Sequence, residues 1–203
     1  LFRSLQALIG LFPENLMTGT DRSRWLSLPQ LPTLRPVLQE KHPELEALVY
    51  GSGYSDVERV TSIRSYLADN FTYTLNVETP PADRDFVTYF LETGEGYCTY
   101  FATTLTVLLR SAGIPARYVE GFLVPQSDTA GRRELRGENG HAWTEVWFDG
   151  LGWVPLDATP SSTLDQLENT AGKDPGEETV PTEVITEAPE TQAPTEVIPE
   201  QDH

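Results

Sequence analysis

One cysteine stands at a position that would suit a thiol nucleophile. Cys98 is the single cysteine of the chain and follows the turn Gly94-Glu95-Gly96, at the predicted start of a helix. Unpaired backbone N–H groups and the helix dipole favour a thiolate there, and they could also donate to the oxyanion formed when it attacks a carbonyl. Because most free cysteines simply pack in the core, position alone does not make Cys98 catalytic.

A cysteine nucleophile needs a base within hydrogen-bond reach, and the base needs a third group that fixes its orientation. The chain has three histidines: His42 beside Pro43, His203 at the end, and His141. His141 alone lies on a predicted strand, among aromatic residues and directly after a glycine-containing loop. We therefore predict that His141 is the base that serves Cys98, although a lone strand histidine can also be purely structural.

The third group follows from the pairing of two predicted strands. Residues 141–148 and 153–157 alternate as strands do and are joined around Asp149-Gly150. If the loop has three residues, 149–151, then Phe148 faces Gly152. A two-residue loop would shift the register by one and turn every side chain to the other face. Because only an odd loop or a bulge puts Asp157 on the face of His141, we predict one at this point, and a flat two-residue hairpin would exclude Asp157.

With the three-residue loop, Asp157 reaches the same face as His141. Trp143 then lies opposite Asp157, and His141 is its diagonal neighbour, about 7–8 Å away between backbones and within side-chain reach. Asp157 is therefore the predicted orienting carboxylate. Asp149 is the competing carboxylate, but beside Gly150 it is interpreted as a turn residue.

The elements that must position these residues alternate in type along the chain. Three prolines indicate an extended or irregular segment over 25–36, and Ser55 with Glu58 forms a capping box. Helix-rich sequence followed by antiparallel strands predicts an α+β fold. We predict helices over 38–49, 57–70, 85–91 and 98–112, and strands over 71–75, 116–124, 141–148 and 153–157.

Composition divides the chain into a folded part and a tail. From Asp165 onward there are 11 acidic residues against the single Lys173 and no aromatic residue, and Pro-Thr-Glu-Val-Ile occurs twice. Such a segment buries too little apolar surface to offset its chain entropy. We predict a flanking segment over 1–24, a catalytic domain over 25–163 and a disordered linker or tail over 164–203.

Charge and residue usage exclude several classes of function. A net charge of −17 without a basic stripe argues against nucleic-acid binding. One cysteine and three scattered histidines offer no zinc-ligand pair, so no metal and no cofactor is predicted. No run approaches 18 consecutive apolar residues, so no transmembrane helix and no membrane contact by this chain itself is expected.

Several segments of the sequence resemble bacterial transglutaminase-like domains, of the type found in membrane-anchored transglutaminase-like proteins. The resemblance covers about residues 25–163 and rests on three motifs in order, around Cys98, His141 and Asp157. One departure is Asp157-Ala158-Thr159, where members usually read Asp-Pro-Thr. The matching segments are 70–75, 85–91, 94–102, 108–117, 140–147 and 152–160.

This resemblance implies a papain-like fold with a central cysteine-bearing helix packed on an antiparallel sheet. It also implies acyl transfer through a thioester: Cys98 attacks an amide carbonyl, His141 protonates the leaving amine, and an amine or water completes the reaction. The backbone N–H of Cys98 and the Tyr73 hydroxyl are candidate oxyanion donors, and Trp143 is a candidate wall of the site. Both aromatic side chains can equally be core residues.

Three functions remain open at this point. The first is transfer of a glutamine side-chain amide to an amine, and the second is a cysteine peptidase or amidase with the same triad. A non-catalytic protein-binding module on the same fold is the third, and the intact Cys98, His141 and Asp157 argue against it. The expected partner is a protein or peptide substrate. The resemblance also predicts an extracytoplasmic domain, with the tail as a spacer towards a membrane helix.

Overall fold

The structure is a computed structural model that describes residue 8 and residues 16–124, 131 and 133–160. The predicted acidic tail over 164–203 lies outside these residues. Six helices are described, together with a short 3₁₀ turn at Gly137–Asn139. The helices are α1 (Gly19–Leu26), α2 (Leu34–Lys41), α3 (Pro43–Tyr50), α4 (Asp56–Asn70), α5 (Phe86–Thr93) and α6 (Cys98–Ser111).

The strands form two sheets of different kinds. A three-stranded antiparallel sheet has the order β3 (Ala116–Phe122), β4 (Gly140–Phe148) and β5 (Gly152–Leu156). A two-stranded parallel sheet pairs β1 (Thr72–Tyr73) with β2 (Glu95–Gly96). Helix α6 packs on the antiparallel sheet, so the predicted α+β architecture with a central cysteine-bearing helix is confirmed.

Buried hydroxyl groups fix α6 against β4. Thr144 Oγ1 donates to the carbonyl oxygen of Ala102 at 3.0 Å and lies 3.1 Å from Thr106 Oγ1. Ala102 and Thr106 are one helical turn apart, and Cys98 is one turn before Ala102, so all three share a face. Thr144 therefore sets the position of the cysteine-bearing face along β4. Around this contact the core is apolar, with fully buried Phe90, Phe101, Leu105 and Leu108.

The β4–β5 hairpin has the predicted register. Phe148 pairs with Gly152 and Thr144 with Leu156, so the loop holds the three residues 149–151. Gly150 and Gly152 have φ values of 79° and 99°, a left-handed region that favours glycine and lets the chain reverse in this short loop. The three-residue loop is confirmed, and it directs the chain beyond Leu156 towards the start of β4.

Two predictions were wrong near the N-terminal end of the described chain: one helix over 38–49 and an extended or irregular segment over 25–36. The single helix predicted over 38–49 is two helices, because Pro43 cannot donate a backbone hydrogen bond, and α2 ends at Lys41 with His42 as its C-cap. Pro36 lies in the first turn of α2, where a proline is tolerated, and Trp25 belongs to α1 rather than to irregular chain. By contrast, the capping box of Ser55 and Glu58 is confirmed at the start of α4.

Candidate active site

Cys98 is the first residue of α6 and is partly exposed to solvent. The preceding residue, Tyr97, has extended backbone, and no side chain caps the helix. The first N–H groups of α6 are therefore free of a side-chain cap, as a developing oxyanion would require. Gly96 is needed in this turn, because a Cβ there would lie 2.6 Å from the Cβ of Tyr100.

His141 lies near the start of β4 and is 5% exposed. Its Nε2 is 2.6 Å from Oδ2 of Asp157. Its Nδ1 is buried and forms no close hydrogen bond among the residues that the structure describes. The imidazole nevertheless lies close enough to the Cys98 thiol for each group to shift the pKa of the other. Because Asp157 occupies Nε2, the nitrogen left for the thiol is Nδ1.

The two pKa values move towards a thiolate–imidazolium pair. Burial raises the pKa of the Cys98 thiol, but the hydrogen bond with His141 and the backbone N–H groups of Ala142 and Thr99 outweigh it and lower the pKa overall. Burial disfavours charge on His141 as well. The hydrogen bonds to Asp157 and Cys98 and their negative charges reverse that effect and raise the pKa of His141 to about 9.

Asp157 is held on three sides. Its Oδ2 meets His141, and its Oδ1 accepts the backbone N–H of Thr159 at 2.8 Å. Its own carbonyl oxygen accepts a hydrogen bond from Arg64 Nε at 2.6 Å. Arg64 lies on α4, so this helix fixes the backbone that carries the carboxylate. The sequence reasoning missed Arg64, because no local pattern connects two residues 93 positions apart.

Tyr73 lies beside the nucleophile. Its pKa is raised by burial and then by the charge of Cys98, and its hydroxyl is within hydrogen-bond reach of the Cys98 backbone and thiol. The pairing of Tyr73 with Gly96 in the small parallel sheet explains this position, because β2 leads directly into Cys98. The structure therefore brings the predicted oxyanion candidate to the thiol.

Trp143 lies along the site on the same strand as His141. The two rings are nearly parallel, with centroids 6.4 Å apart and an interplanar angle of 18°. The indole extends over Gly121 on β3, where a Cβ would come within 2.7 Å of the ring. Trp143 is half-buried rather than core, so it can form a wall beside the imidazole.

The other residues weighed from the sequence lie elsewhere. Asp149 is in the hairpin loop and accepts a hydrogen bond from Trp147 Nε1 at 2.7 Å, as its interpretation as a turn residue requires. His42 joins helices: its Nδ1 is 3.1 Å from the Tyr66 hydroxyl and its Nε2 is 2.7 Å from the carbonyl of Leu91. His203 lies outside the described residues.

The arrangement brings the Cys98 thiol, the His141 imidazole and the Asp157 carboxylate together, with N–H and hydroxyl donors near the thiol. These are the types of group that acyl transfer by a cysteine thiolate requires. Within 16–124 and 133–160, no cluster of three histidine, cysteine or acidic side chains is arranged to hold a metal ion. In the same residues no helix combines the length and apolarity needed to cross a membrane.

The sequence matches the Transglutaminase-like superfamily over residues 45–158, which is more than half of the chain. The chain therefore belongs to the transglutaminase-like superfamily. The matched range contains the whole Cys98–His141–Asp157 line.

The chain is similar to two curated relatives and one solved structure. It is 41% identical over 128 residues to the uncharacterized protein YebA of Bacillus subtilis (strain 168). The matched segment is 59% of this chain and 17% of YebA. It is 31% identical over 157 residues to a protein-glutamine gamma-glutamyltransferase of Pseudomonas aeruginosa, 72% of this chain and 22% of that protein. The chain thus spans about a fifth of these relatives.

The solved structure is the periplasmic domain of TgpA from Pseudomonas aeruginosa. Its TM-score with this chain is 0.63 at 28% sequence identity, over 76% of this chain and 52% of that one. The similarity confirms the transglutaminase-like fold.

Proposed function

We propose that this chain is a cysteine acyltransferase that joins the side-chain amide of glutamine to a primary amine. The observation that carries the proposal is the hydrogen-bonded His141–Asp157 pair beside the partly exposed Cys98 at the N-terminus of α6. Membership of the transglutaminase-like superfamily and similarity to a protein-glutamine gamma-glutamyltransferase support the choice of reaction.

The first half of the reaction forms a thioester. The thiolate of Cys98 attacks the carboxamide carbon, and the oxyanion accepts hydrogen bonds from backbone N–H groups of α6 and from the Tyr73 hydroxyl. His141, protonated at Nδ1, gives that proton to the amide nitrogen. The C–N bond breaks, ammonia leaves and the imidazole becomes neutral. Asp157 stabilises the imidazolium before this transfer and holds the ring in one orientation throughout.

The second half returns the enzyme to its starting state. A neutral primary amine attacks the thioester carbon, and His141 Nδ1 takes one proton from the amine nitrogen. The C–S bond breaks, the isopeptide product leaves and Cys98 is again a thiolate beside an imidazolium. In water-limited surroundings the amine competes well with hydrolysis, and Trp143 is placed to limit access of water to the thioester.

The test follows label and ammonia together. The chain is incubated with a glutamine-containing peptide and dansylcadaverine, in parallel with Cys98→Ala and His141→Ala. We expect one ammonia per amine incorporated, with both products lost in both variants. Ammonia with a new glutamate and no label would instead assign an amidase, and new peptide termini would assign a peptidase. If a folded chain gave neither product with several glutamine peptides, that result would contradict the enzyme proposal.

We also propose an extracytoplasmic location for the domain. The support is the similarity to a periplasmic domain of TgpA. Export of a reporter fused to the full-length protein tests it: β-lactamase fused next to this domain protects cells only outside the cytoplasm. A fusion that is stable but gives no protection would contradict the location.

A further inference from the structure

A small cleft lies at the end of β4 that is remote from the catalytic site. It is lined by residues of α1, of the first turn of α4 and of the β4–β5 hairpin, and its volume is about 230 Å³. Phe148 lines the cleft and follows His141 by seven residues on β4, which is roughly 24 Å along an extended strand. The cleft is therefore a separate place on the molecule, and none of the residues that line it belongs to the catalytic group.

Side chains of both charges line the cleft. Arg22 on α1 brings a guanidinium, while Asp56 at the start of α4 and Asp149 in the hairpin loop bring carboxylates. Nη1 of Arg22 lies 4.0 Å from Oδ2 of Asp149, which is longer than a hydrogen bond, and the two side chains are 40% and 53% exposed. Neither group is fully engaged by the other, so both keep positions for hydrogen bonds with a ligand that lies between them.

Apolar and aromatic side chains complete the lining. Val57 and Phe148 are buried, and Trp147 is half-buried. Nε1 of Trp147 donates to Oδ1 of Asp149 at 2.7 Å, which fixes the orientation of that carboxylate. The volume of about 230 Å³ is below the range of about 300–1,000 Å³ that is usual for ligand pockets. The cleft therefore suits a ligand of amino-acid size that has an apolar part.

The mixture of charges restricts the kind of ligand. A simple anion that approached Arg22 would also meet the carboxylates of Asp56 and Asp149, and a simple cation would meet Arg22. A zwitterion, with its ammonium and carboxylate groups a few ångströms apart, meets an opposite charge at each end. Because an exposed ion pair contributes little by itself, both pairs and the apolar contact are needed for binding.

We propose that this cleft binds a free α-amino acid with an aliphatic side chain. The ammonium group of the ligand lies between Asp56 and Asp149, and its carboxylate accepts hydrogen bonds from Arg22. The aliphatic side chain packs on Val57 and Trp147. This site goes beyond the proposed acyl transfer and does not depend on it.

The test compares three ligands that share one branched stem. L-leucine carries both charges, isoamylamine only the ammonium group and 4-methylpentanoate only the carboxylate. The readout is the indole N–H resonance of Trp147, because this group donates to Asp149 and the chain has four tryptophans. Trp147→Phe identifies the resonance. With no glutamine peptide present, we expect saturable shifts with leucine at millimolar concentration and binding of the other two ligands about two- to fivefold weaker.

Substitutions then assign each charge. Arg22→Gln should raise the Kd of leucine about two- to fivefold, the effect of one exposed ion pair, and should not raise the Kd of isoamylamine, which has no carboxylate. Asp56→Asn should weaken both ligands. Arg24→Gln on α1 and Asp69→Asn on α4 are the matched controls, since both side chains are exposed and lie outside the cleft. They should leave both Kd values unchanged.

Three results would overturn the site. The first is no shift of the Trp147 resonance up to the solubility limit of leucine, in a chain that circular dichroism shows to be folded. The second is equal affinity for leucine and isoamylamine, which would assign a simple cation site. The third is a loss of affinity that is as large in Arg24→Gln as in Arg22→Gln. Since no acyl donor is present, each result leaves the proposed acyl transfer as it stands.

Discussion

Nε2 of His141 lies 2.6 Å from Oδ2 of Asp157, so Nδ1 is the imidazole nitrogen left for the Cys98 thiol. A neutral imidazole in this position carries its proton on Nε2, where the carboxylate accepts it, and presents a lone pair to the thiol. Nδ1 is buried, with no other hydrogen-bond partner among the described residues, so nothing in that part of the chain competes with Cys98 for it. Catalytic contacts that are loose in a free enzyme commonly tighten when substrate binds.

The first prediction concerns the thiol itself. Because the pKa of Cys98 is lowered by His141 and by backbone N–H groups, iodoacetamide should alkylate it rapidly below the ordinary thiol pKa of about 8.5. In His141→Ala the inflection should move up towards the ordinary value. The measurement is the alkylation rate from pH 4 to 10, with circular dichroism confirming that both proteins are folded. An unshifted inflection in the parent would show that Cys98 is not activated.

The second prediction concerns the pH dependence of acyl transfer. The rate rises as Cys98 loses its proton and falls as the imidazolium is lost, so kcat/KM should be bell-shaped with its alkaline limb near the His141 pKa of about 9. Asp157→Asn removes a carboxylate that raises the pKa of His141, so the alkaline limb should move to lower pH. The rate should fall by roughly 10²- to 10⁴-fold.

Asp149→Asn is the matched control, because this carboxylate lies in the hairpin loop and bonds to Trp147. It should leave the profile unchanged. If Asp157→Asn retained the parent profile, Asp157 would not be the group that supports the imidazolium.

The third prediction concerns Arg64 as a positioning residue. Without the hydrogen bond from Arg64 to the Asp157 carbonyl, the Asp157 carboxylate can shift. Small displacements of such a group can lower the reaction rate strongly. Arg64→Ala should lower kcat roughly ten- to hundredfold with little change in KM, and it should move the alkaline limb down. Arg64→Lys should recover part of the rate, since an ammonium can still donate one hydrogen bond.

Arg59 supplies the control for this experiment. It lies on the same helix and donates to the carbonyls of Val49 and Gly51, away from the site. Arg59→Ala should lower stability but keep the pH profile. Equal profiles for Arg59→Ala and Arg64→Ala would mean that Arg64 is merely structural.

The fourth prediction separates two buried threonines. Thr144→Val removes the hydrogen bonds to Ala102 and Thr106 and leaves Thr106 unsatisfied, so it should reduce the free energy of unfolding by about 1–3 kcal/mol. Thr104 is fully buried, and its hydroxyl has no partner within the described ranges. Thr104→Val should therefore be neutral or stabilising. Urea denaturation measures both, and equal losses would contradict the role given to Thr144.

Much of the site follows from local rules. The turn before Cys98 and the helix after it depend on adjacent residues. A period of two along β4 and β5, together with an assumed three-residue loop, led to the prediction that Asp157 reaches His141. The Ser55–Glu58 capping box is likewise a contact between neighbours. Such features are predictable because the interacting groups are close in sequence or related by a simple register.

Other features depend on packing that no local pattern encodes. The hydrogen bond from Arg64 to Asp157 crosses 93 residues, and the position of Tyr118 beside Thr99 depends on how β3 meets α6. The predicted strand over 71–75 shrank to Thr72–Tyr73, because it pairs in parallel with only two residues of β2. In each case tertiary contacts decide the outcome, and the sequence shows only suitable residue types.

The three-residue loop at 149–151 has a consequence for how this domain can evolve. Removing a single codon there would leave β4, α6 and Cys98 unchanged in sequence, yet it would turn residue 157, with the other side chains of β5, to the opposite face of the sheet. The deletion would lie in a surface turn at the far end of the hairpin, yet it would remove the Asp157 carboxylate from the imidazole. One in-frame deletion could thus separate His141 from Asp157 without any substitution at Cys98, His141 or Asp157, and it would also turn Val154 and Leu156 away from the core.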